Sequence, residues 1–498
     1  MLEGSWTRFA LFVSYSLLTG CGGIVARDSG SAGGAGGAAS KDGGASNNRS
    51  GGSLRPLFRD VSLAVAPEVD ALATNDVDLF DADNDGDLDI LEVPAGDASG
   101  LARPRLRINE SGSFVDRSAA AFPATFSGSF TDADQGDLDG DGWLDIVLAA
   151  HLPDGSLVGG ENRVLMNAEG EFAPQDYRIP SASRQTVAVE LCDFDSDGDL
   201  DIYFAHSEPP NPDHTLLRND GGIFVDVSAT ALGGPGTVAV KKVLCVDLDA
   251  PSEPGAHCGS LALDTCRHCM DPRLSIEGLA SQGRLDELEY GDCLEARRQV
   301  VPEFVLAASQ GAKTSLLRQT APGRYIDVSC NMELPLLDGT PVSKAQCSSG
   351  MVQGRQDTDV EAGDVDGDGI VDLVFVARLE SRNTLLLNDG AGGFTDETAT
   401  RWDESLNIAR EVEVGDVDGD GDLDVVVLRG DPNLNSPGMN ALFLNESGRL
   451  VEDLGSTLRD WVGTVSDGDL ADYDADGDLD LVVARQGERL QILENLTR

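Results

Sequence analysis

"GDVDGDGIVDLVFVAR", residues 363–378, sets four carboxylates, Asp364, Asp366, Asp368 and Asp372, within nine positions and follows them with an almost wholly apolar run. Two carboxylates about 4 Å apart repel by about 4 kcal/mol at an effective dielectric near 20, so such a cluster calls for protons or a cation. The stretch has five intact relatives: "DADNDGDLD" from Asp81, "DLDGDGWLD" from Asp137, "DFDSDGDLD" from Asp193, "DVDGDGDLD" from Asp416 and "DYDADGDLD" from Asp472. Wherever two intact copies are adjacent they lie 52 or 56 residues apart. A seventh, "DLDAPSEPG" from Asp247, keeps two aspartates and then breaks down.

The spacing selects the ion. In D-x-D-x-D-G-x-x-D the first, third and fifth side chains converge when the chain curls back, glycine at the sixth position permits the sharp turn, the seventh residue offers its carbonyl and the ninth aspartate closes the shell. All are hard oxygen donors, which suits Ca²⁺ better than zinc or copper. The predicted ligand sets are therefore Asp81, Asp83, Asp85, Asp87 and Asp89; Asp137, Asp139, Asp141, Trp143 and Asp145; Asp193, Asp195, Asp197, Asp199 and Asp201; Asp364, Asp366, Asp368, Ile370 and Asp372; Asp416, Asp418, Asp420, Asp422 and Asp424; and Asp472, Asp474, Asp476, Asp478 and Asp480. About six structural calcium ions are expected. The first copy also fits an EF-hand loop with Glu92 at position 12, but its flanks read as strands, so Glu92 is expected at most as an extra ligand.

Each unit has a second half: an Asn- and Gly-containing turn leading to an aromatic strand, as in "NESGSFVDRS", "NDGGIFVDVS" and "NDGAGGFTDET". Short β-type runs at this period point to an all-β fold, a seven-bladed β-propeller of four-stranded blades over residues 54–498. The last unit, ending "LQILENLTR", lacks its aromatic strand, whereas the folded region begins with an orphan one, "FRDVS", at Phe58–Ser62. The N-terminal strand is therefore predicted to complete the seventh blade, leaving no sheet edge open.

The acidic loop together with the N-x-G-x-F half resembles the FG-GAP and VCBS repeats of integrin-like propellers, although the literal Phe-Gly and Gly-Ala-Pro signatures are missing. The resemblance implies calcium loops on one face of the ring and ligands engaging the other.

Three positions before each intact loop sits an acid, Asp78, Asp134, Glu190, Glu361, Glu413 or Asp469, and five positions before sits another in five copies, Asp76, Asp132, Asp359, Glu411 and Asp467; the degenerate unit has Leu244 and Lys242 there. The apolar strand ends in His151, His206, Arg378, Arg429 or Arg485, expected opposite those acids as cross-strand ion pairs. The alternative is a charged ring at the channel mouth that holds a ligand or more cations.

The N-terminus reads "MLEGSWTRFALFVSYSLLTGCGG". Its apolar stretch is too short to span a bilayer and reads as an export signal over residues 1–20. Leu18-Thr19-Gly20-Cys21 resembles a bacterial lipobox, which implies lipidation of Cys21 and attachment to the outer membrane or cell surface of a bacterium. Residues 21–53, rich in Gly, Ser and Ala, form a flexible tether with a reach of about 30 Å. The remaining cysteines, Cys192, Cys245, Cys258, Cys266, Cys269, Cys293, Cys330 and Cys347, are an even set that suits an exported protein with disulfides. Cys192 with Cys245 and Cys330 with Cys347 are candidate pairs. Four of the others lie in an insertion over residues 250–302 within blade 4, where Cys266-x-x-Cys269 could alternatively be half of a zinc site.

With 87 acidic against 36 basic residues and a net charge of −51, the chain should repel nucleic acid and anionic lipid; its only expected membrane contact is the lipid anchor. The leading function is a surface-anchored calcium-binding scaffold for an extracellular protein or glycan, an adhesion role with no catalytic residues. The alternative is a secreted propeller enzyme, a polysaccharide lyase or hydrolase with an acidic active site. The insertion, Trp402 and Trp461 are the first places to look for specificity.

Overall fold

The computed structural model describes residues 58–67, 73–95, 101–151, 160–181, 183–207, 214–232, 240–248, 302–308, 314–329, 332, 356–378, 382–402, 409–431 and 436–497. The signal segment, Cys21, the tether, and Cys258, Cys266, Cys269, Cys293, Cys330 and Cys347 lie outside them, as does the insertion up to residue 301.

Alternating short runs and Asx-Gly turns do build antiparallel four-stranded sheets, seven of them. Blade 1 comprises Thr74–Phe80, Asp89–Pro94, Arg105–Asn109 and Phe114–Asp116. Blades 2 to 6 repeat it, with first strands Phe130–Gly136, Thr186–Cys192, Val240–Val246, Asp357–Gly363 and Ala409–Gly415. Blade 7 takes Val465–Ala471, Asp480–Arg485 and Gln491–Asn495 from the C-terminus and Phe58–Asp60 from the N-terminus, in register Phe58↔Asn495. Each first strand packs on the first strand of the next blade, and that of blade 7 packs on that of blade 1, so the ring closes. This is the predicted architecture, including the strand that joins the two ends.

The apolar second strands, such as Asp145–Ala150 and Asp372–Ala377, are buried along their whole length because neighbouring blades cover both faces. That double burial explains their lack of alternation. Core clusters accordingly form between blades, for example Phe80, Leu91 and Leu106 of blade 1 with Leu148, Leu165 and Phe172 of blade 2.

The aromatic strand's trailing Asp-x-Ser/Thr also has a job. Ser118 donates its hydroxyl to Asp116, and its Oγ accepts the N–H of Leu106 on the preceding strand. Ser62, Ser228, Ser329 and Thr398 repeat this bond to Ile492, Leu216, Leu316 and Leu385.

Two further features concern individual blades. Cys192 and Cys245 are disulfide-bonded, with Cα atoms 6.5 Å apart, joining the first strands of blades 3 and 4 as predicted. Trp402 is not a surface residue: it is 4% exposed and packs edge-on against Phe443. Trp461 is half-buried against the blade 6–7 core. Trp402 thus lacks the open aromatic face expected of a specificity residue.

Candidate metal-binding loops and the acid-lined channel

All six intact loops share one geometry. The first aspartate accepts from the N–H of the sixth-position glycine through Oδ2, at 2.9–3.1 Å, in Asp81, Asp137, Asp193, Asp364, Asp416 and Asp472. The fifth, Asp85, Asp141, Asp197, Asp368, Asp420 or Asp476, accepts the N–H of position seven. The seventh residue thus takes part through its backbone, which is why Trp143 and Ile370 serve as well as aspartate. The turn needs positive φ at position four as well as six, met by Asn84, Ser196 and Ala475 or by glycine. Glycine was expected only at the sixth.

Positions one and three converge with either five or nine. Carboxylate oxygens lie within 4.8 Å of one another in Asp81, Asp83 and Asp85; Asp137, Asp139 and Asp145; Asp193, Asp195 and Asp197; Asp364, Asp366 and Asp372; and Asp416, Asp418 and Asp424. The sixth copy, around Asp472, shares their hydrogen bonds.

The ninth aspartate has a second role. Asp89 accepts from Ala82 N through Oδ2 and from Asn109 N through Oδ1, locking the loop to the third strand. Burial pushes Asp89, Asp372 and Asp424 up to about 8 and Asp480 to about 9. Asp81, Asp195 and Asp472 rise to about 6, also mainly through burial. Oδ1 of Asp83 and of Asp195 and Oδ2 of Asp480 are buried with no donor in reach. Crowded all-oxygen donors, carboxyls pushed towards protonation and orphaned oxygens fit a hard cation of the calcium type. Two third-position acids also meet guanidinium groups, Asp139 with Arg178 at 3.0 Å and Asp366 with Arg401 at 3.3 Å.

The first copy is a propeller loop flanked by strands. Glu92 is no extra ligand there, because its Oε1 accepts from Arg107 Nε at 2.6 Å and both side chains are at most 1% exposed.

Blade 4 solves the problem without the repeated aspartates. Glu303 stands at the ninth position, opposite Val246, and accepts from Leu248 N as the ninth aspartates do from position two. Arg318 on the next strand donates to it at 2.8 Å. The insertion falls between these two halves of the loop.

A ring of asparagines, missed in the sequence, seats each turn on the loop of the preceding blade. The Nδ2 groups of Asn109, Asn167, Asn219, Asn388, Asn445 and Asn495 donate to the second-position carbonyls of Tyr473, Ala82, Leu138, Leu248, Val365 and Val417. In blade 4 Gln319 makes the bond to Phe194. The signal was present as Asn in "NESG", "NDGG" and "NDGA", but was read as turn chemistry alone.

The register does not set the acids ahead of the loops opposite the strand-end residues as expected: Arg429 faces Ala409, Arg485 faces Val465 and His206 faces Thr186. Asp76, Asp132, Asp359 and Asp467 instead accept the N–H of Ala133, Val189, Val412 and Val77 on the next blade. Asp134, Glu190 and Asp469 accept likewise from Leu191, Cys245 and Leu79. Arg429 donates to the Met439 carbonyl, Arg485 pairs with Glu488, and His206 meets the hydroxyls of Thr186 and Thr215. A β-bulge in every first strand, as between Thr74 and Asp76, twists an extra residue towards the channel mouth, where Asn75, Thr131, Lys241 and Arg410 are found. The inter-blade offset follows from the twist of adjacent sheets, which periodicity along one strand does not encode.

A seven-bladed ring with acidic hairpin loops between first and second strands defines a repeat β-propeller. Residues 81–148, 137–204 and 364–427 each match the FG-GAP-like repeat family, and the chain is a seven-bladed propeller carrying FG-GAP-like repeats. No curated protein matches the chain significantly.

Proposed function

We propose that the protein is a calcium-loaded binding scaffold, held outside a bacterial cell by a lipid on Cys21 and presenting its ring to an extracellular protein or glycan. The observation that supports it best is the recurrence of one loop geometry in six blades, with three carboxylates drawn together around orphaned oxygens in a propeller already closed by its own terminal strand. Bound calcium neutralises the loops and fixes each hairpin, while the blades' outer surfaces and the insertion are left to recognise a partner. A propeller of FG-GAP-like repeats fits such a binding role.

Calcium counting and a melt with and without EDTA test the metal; about six ions and a lowered melting temperature after chelation are expected. Binding on a glycan and protein array in calcium, lost in EDTA, tests the scaffold, whereas turnover of a polysaccharide would replace it with an enzyme. Loss of membrane association in Cys21→Ser tests the anchor.

A further inference from the structure

We propose that Arg178 and Arg401 hold two of the six acidic loops, those beginning at Asp137 and Asp364, at a weaker calcium affinity than the other four, a reading that rests on calcium occupying the loops. In four seams between blades the third-position aspartate lies under the turn glycine of the next blade. These pairs are Asp83 with Gly170, Asp139 with Gly222, Asp195 with Gly323 and Asp366 with Gly448, where a Cβ on the glycine would come within 3.4–3.5 Å of the aspartate's own.

Two of these seams also hold a guanidinium. Arg178 and Arg401 each end the short helical turn after the fourth strand, in blades 2 and 5. Arg178 donates through Nη1 to the Gly222 carbonyl at 2.9 Å and through Nη2 to Asp139 Oδ2 at 3.0 Å. Arg401 repeats both contacts, Nη1 to the Gly448 carbonyl at 3.0 Å and Nη2 against Asp366 Oδ2 at 3.3 Å. Only glycine leaves room for them: a Cβ on Gly222 or Gly448 would stand 2.4 or 2.6 Å from the Nη1 atom. The corresponding turns of blades 1 and 3 end in Ala121 and Ala231. Asp83, Asp195, Asp418 and Asp474 form no ion pair among the described residues, and the Oδ1 atoms of Asp83 and Asp195 are buried without a donor.

An aspartate shared with a guanidinium brings less negative charge to the loop, and a fixed positive charge stands one carboxylate away from the ion. At the dielectric of water, a unit charge about 5 Å from a divalent cation weakens its binding about tenfold. Both arginines are part-buried, so salt screens this only in part. Four loops therefore fill first, and those of blades 2 and 5 follow as calcium rises. The same two arginines keep their seams bridged while those loops are metal-free.

The test is the Ca²⁺ isotherm of the full chain, by equilibrium dialysis at fixed ionic strength, for the wild type, Arg178→Gln and Arg401→Gln. Wild type should bind in two classes, about four tight ions and about two held about tenfold more weakly. Each glutamine variant keeps a donor for the glycine carbonyl but loses the charge, and should move one ion from the weak class to the tight one. Equivalent sites in the wild type, a measurement that needs no variant to fold, overturn the proposal. So does a glutamine variant whose weak sites are unchanged or weaker still. A wild-type chain that binds no calcium would instead refute the loop reading itself.

Discussion

Arg318 Nε donates to Glu303 Oε1 at 2.8 Å in the blade whose acidic loop has lost its repeat. Glu303 is 1% exposed there, so a fixed positive charge stands beside the carboxylate at the ninth position.

Removing that charge leaves a buried carboxylate without its cation, a change that typically costs several kcal/mol. Arg318→Met should therefore destabilise the fold by about 3 kcal/mol. The loss should be equal in calcium and in EDTA, as measured by urea midpoints, because a guanidinium meets the ninth-position carboxylate of this blade. A loop variant such as Asp416→Asn should differ from wild type mainly when calcium is present.

Asn445 joins blades 5 and 6 by donating from Nδ2 to the carbonyls of Val365 and Leu423, while its Oδ1 accepts the Gly448 N–H. It is 4% exposed, so water cannot replace these bonds. Asn445→Ala should cost about 2–4 kcal/mol at about 1–3 kcal/mol per buried group left unsatisfied. Calcium affinity of the Asp364 loop should fall with it, since that loop supplies the Val365 carbonyl; titration of the variant checks both.

Glu92 and Arg107 form a buried ion pair in blade 1, and both Nη atoms of Arg107 lack a partner. The same two places in blade 2 hold Leu148 and Leu165, and in blade 7 Val483 and Leu493. Replacing the pair by Leu/Leu should be neutral or stabilising by about 1–4 kcal/mol, whereas Arg107→Leu alone should cost about 3–5 kcal/mol. Chemical denaturation of these two variants and of Glu92→Leu completes the cycle.

The channel should make metal-free stability depend on pH in two opposite arms. Burial raises Asp132 to about 6, against a usual value near 3.9. The folded state holds its proton more tightly, so this contribution is present below about pH 4 and is lost as pH rises through 6. Arg410, and then burial, lowers Lys241 to about 7. Its contribution is present above about pH 10.4 and is lost as pH falls through 7. Asp132→Asn should reduce the acid arm and enlarge the alkaline one, and Lys241→Met should do the reverse, because each charge favours the charged form of the other; urea titrations with EDTA check both.

The sequence by itself determined the blade count, the closure of the ring by Phe58–Asp60 and the six loops, because these are written in spacing along one chain: a nine-residue motif, a period near 56 and an orphan strand matched to a missing one. It also brought Cys192 together with Cys245, which lie one and two residues ahead of the loops on neighbouring first strands. Only the tertiary structure decided what happens between blades. Asp76 takes the N–H of Ala133 rather than a cation across its own hairpin, Asn109 reaches the carbonyl of Tyr473 across the closing seam, and Trp402 turns inward onto Phe443. Those choices depend on how one twisted sheet is offset against the next. That offset is set by packing of the blade faces, not by the order of residues along any single strand.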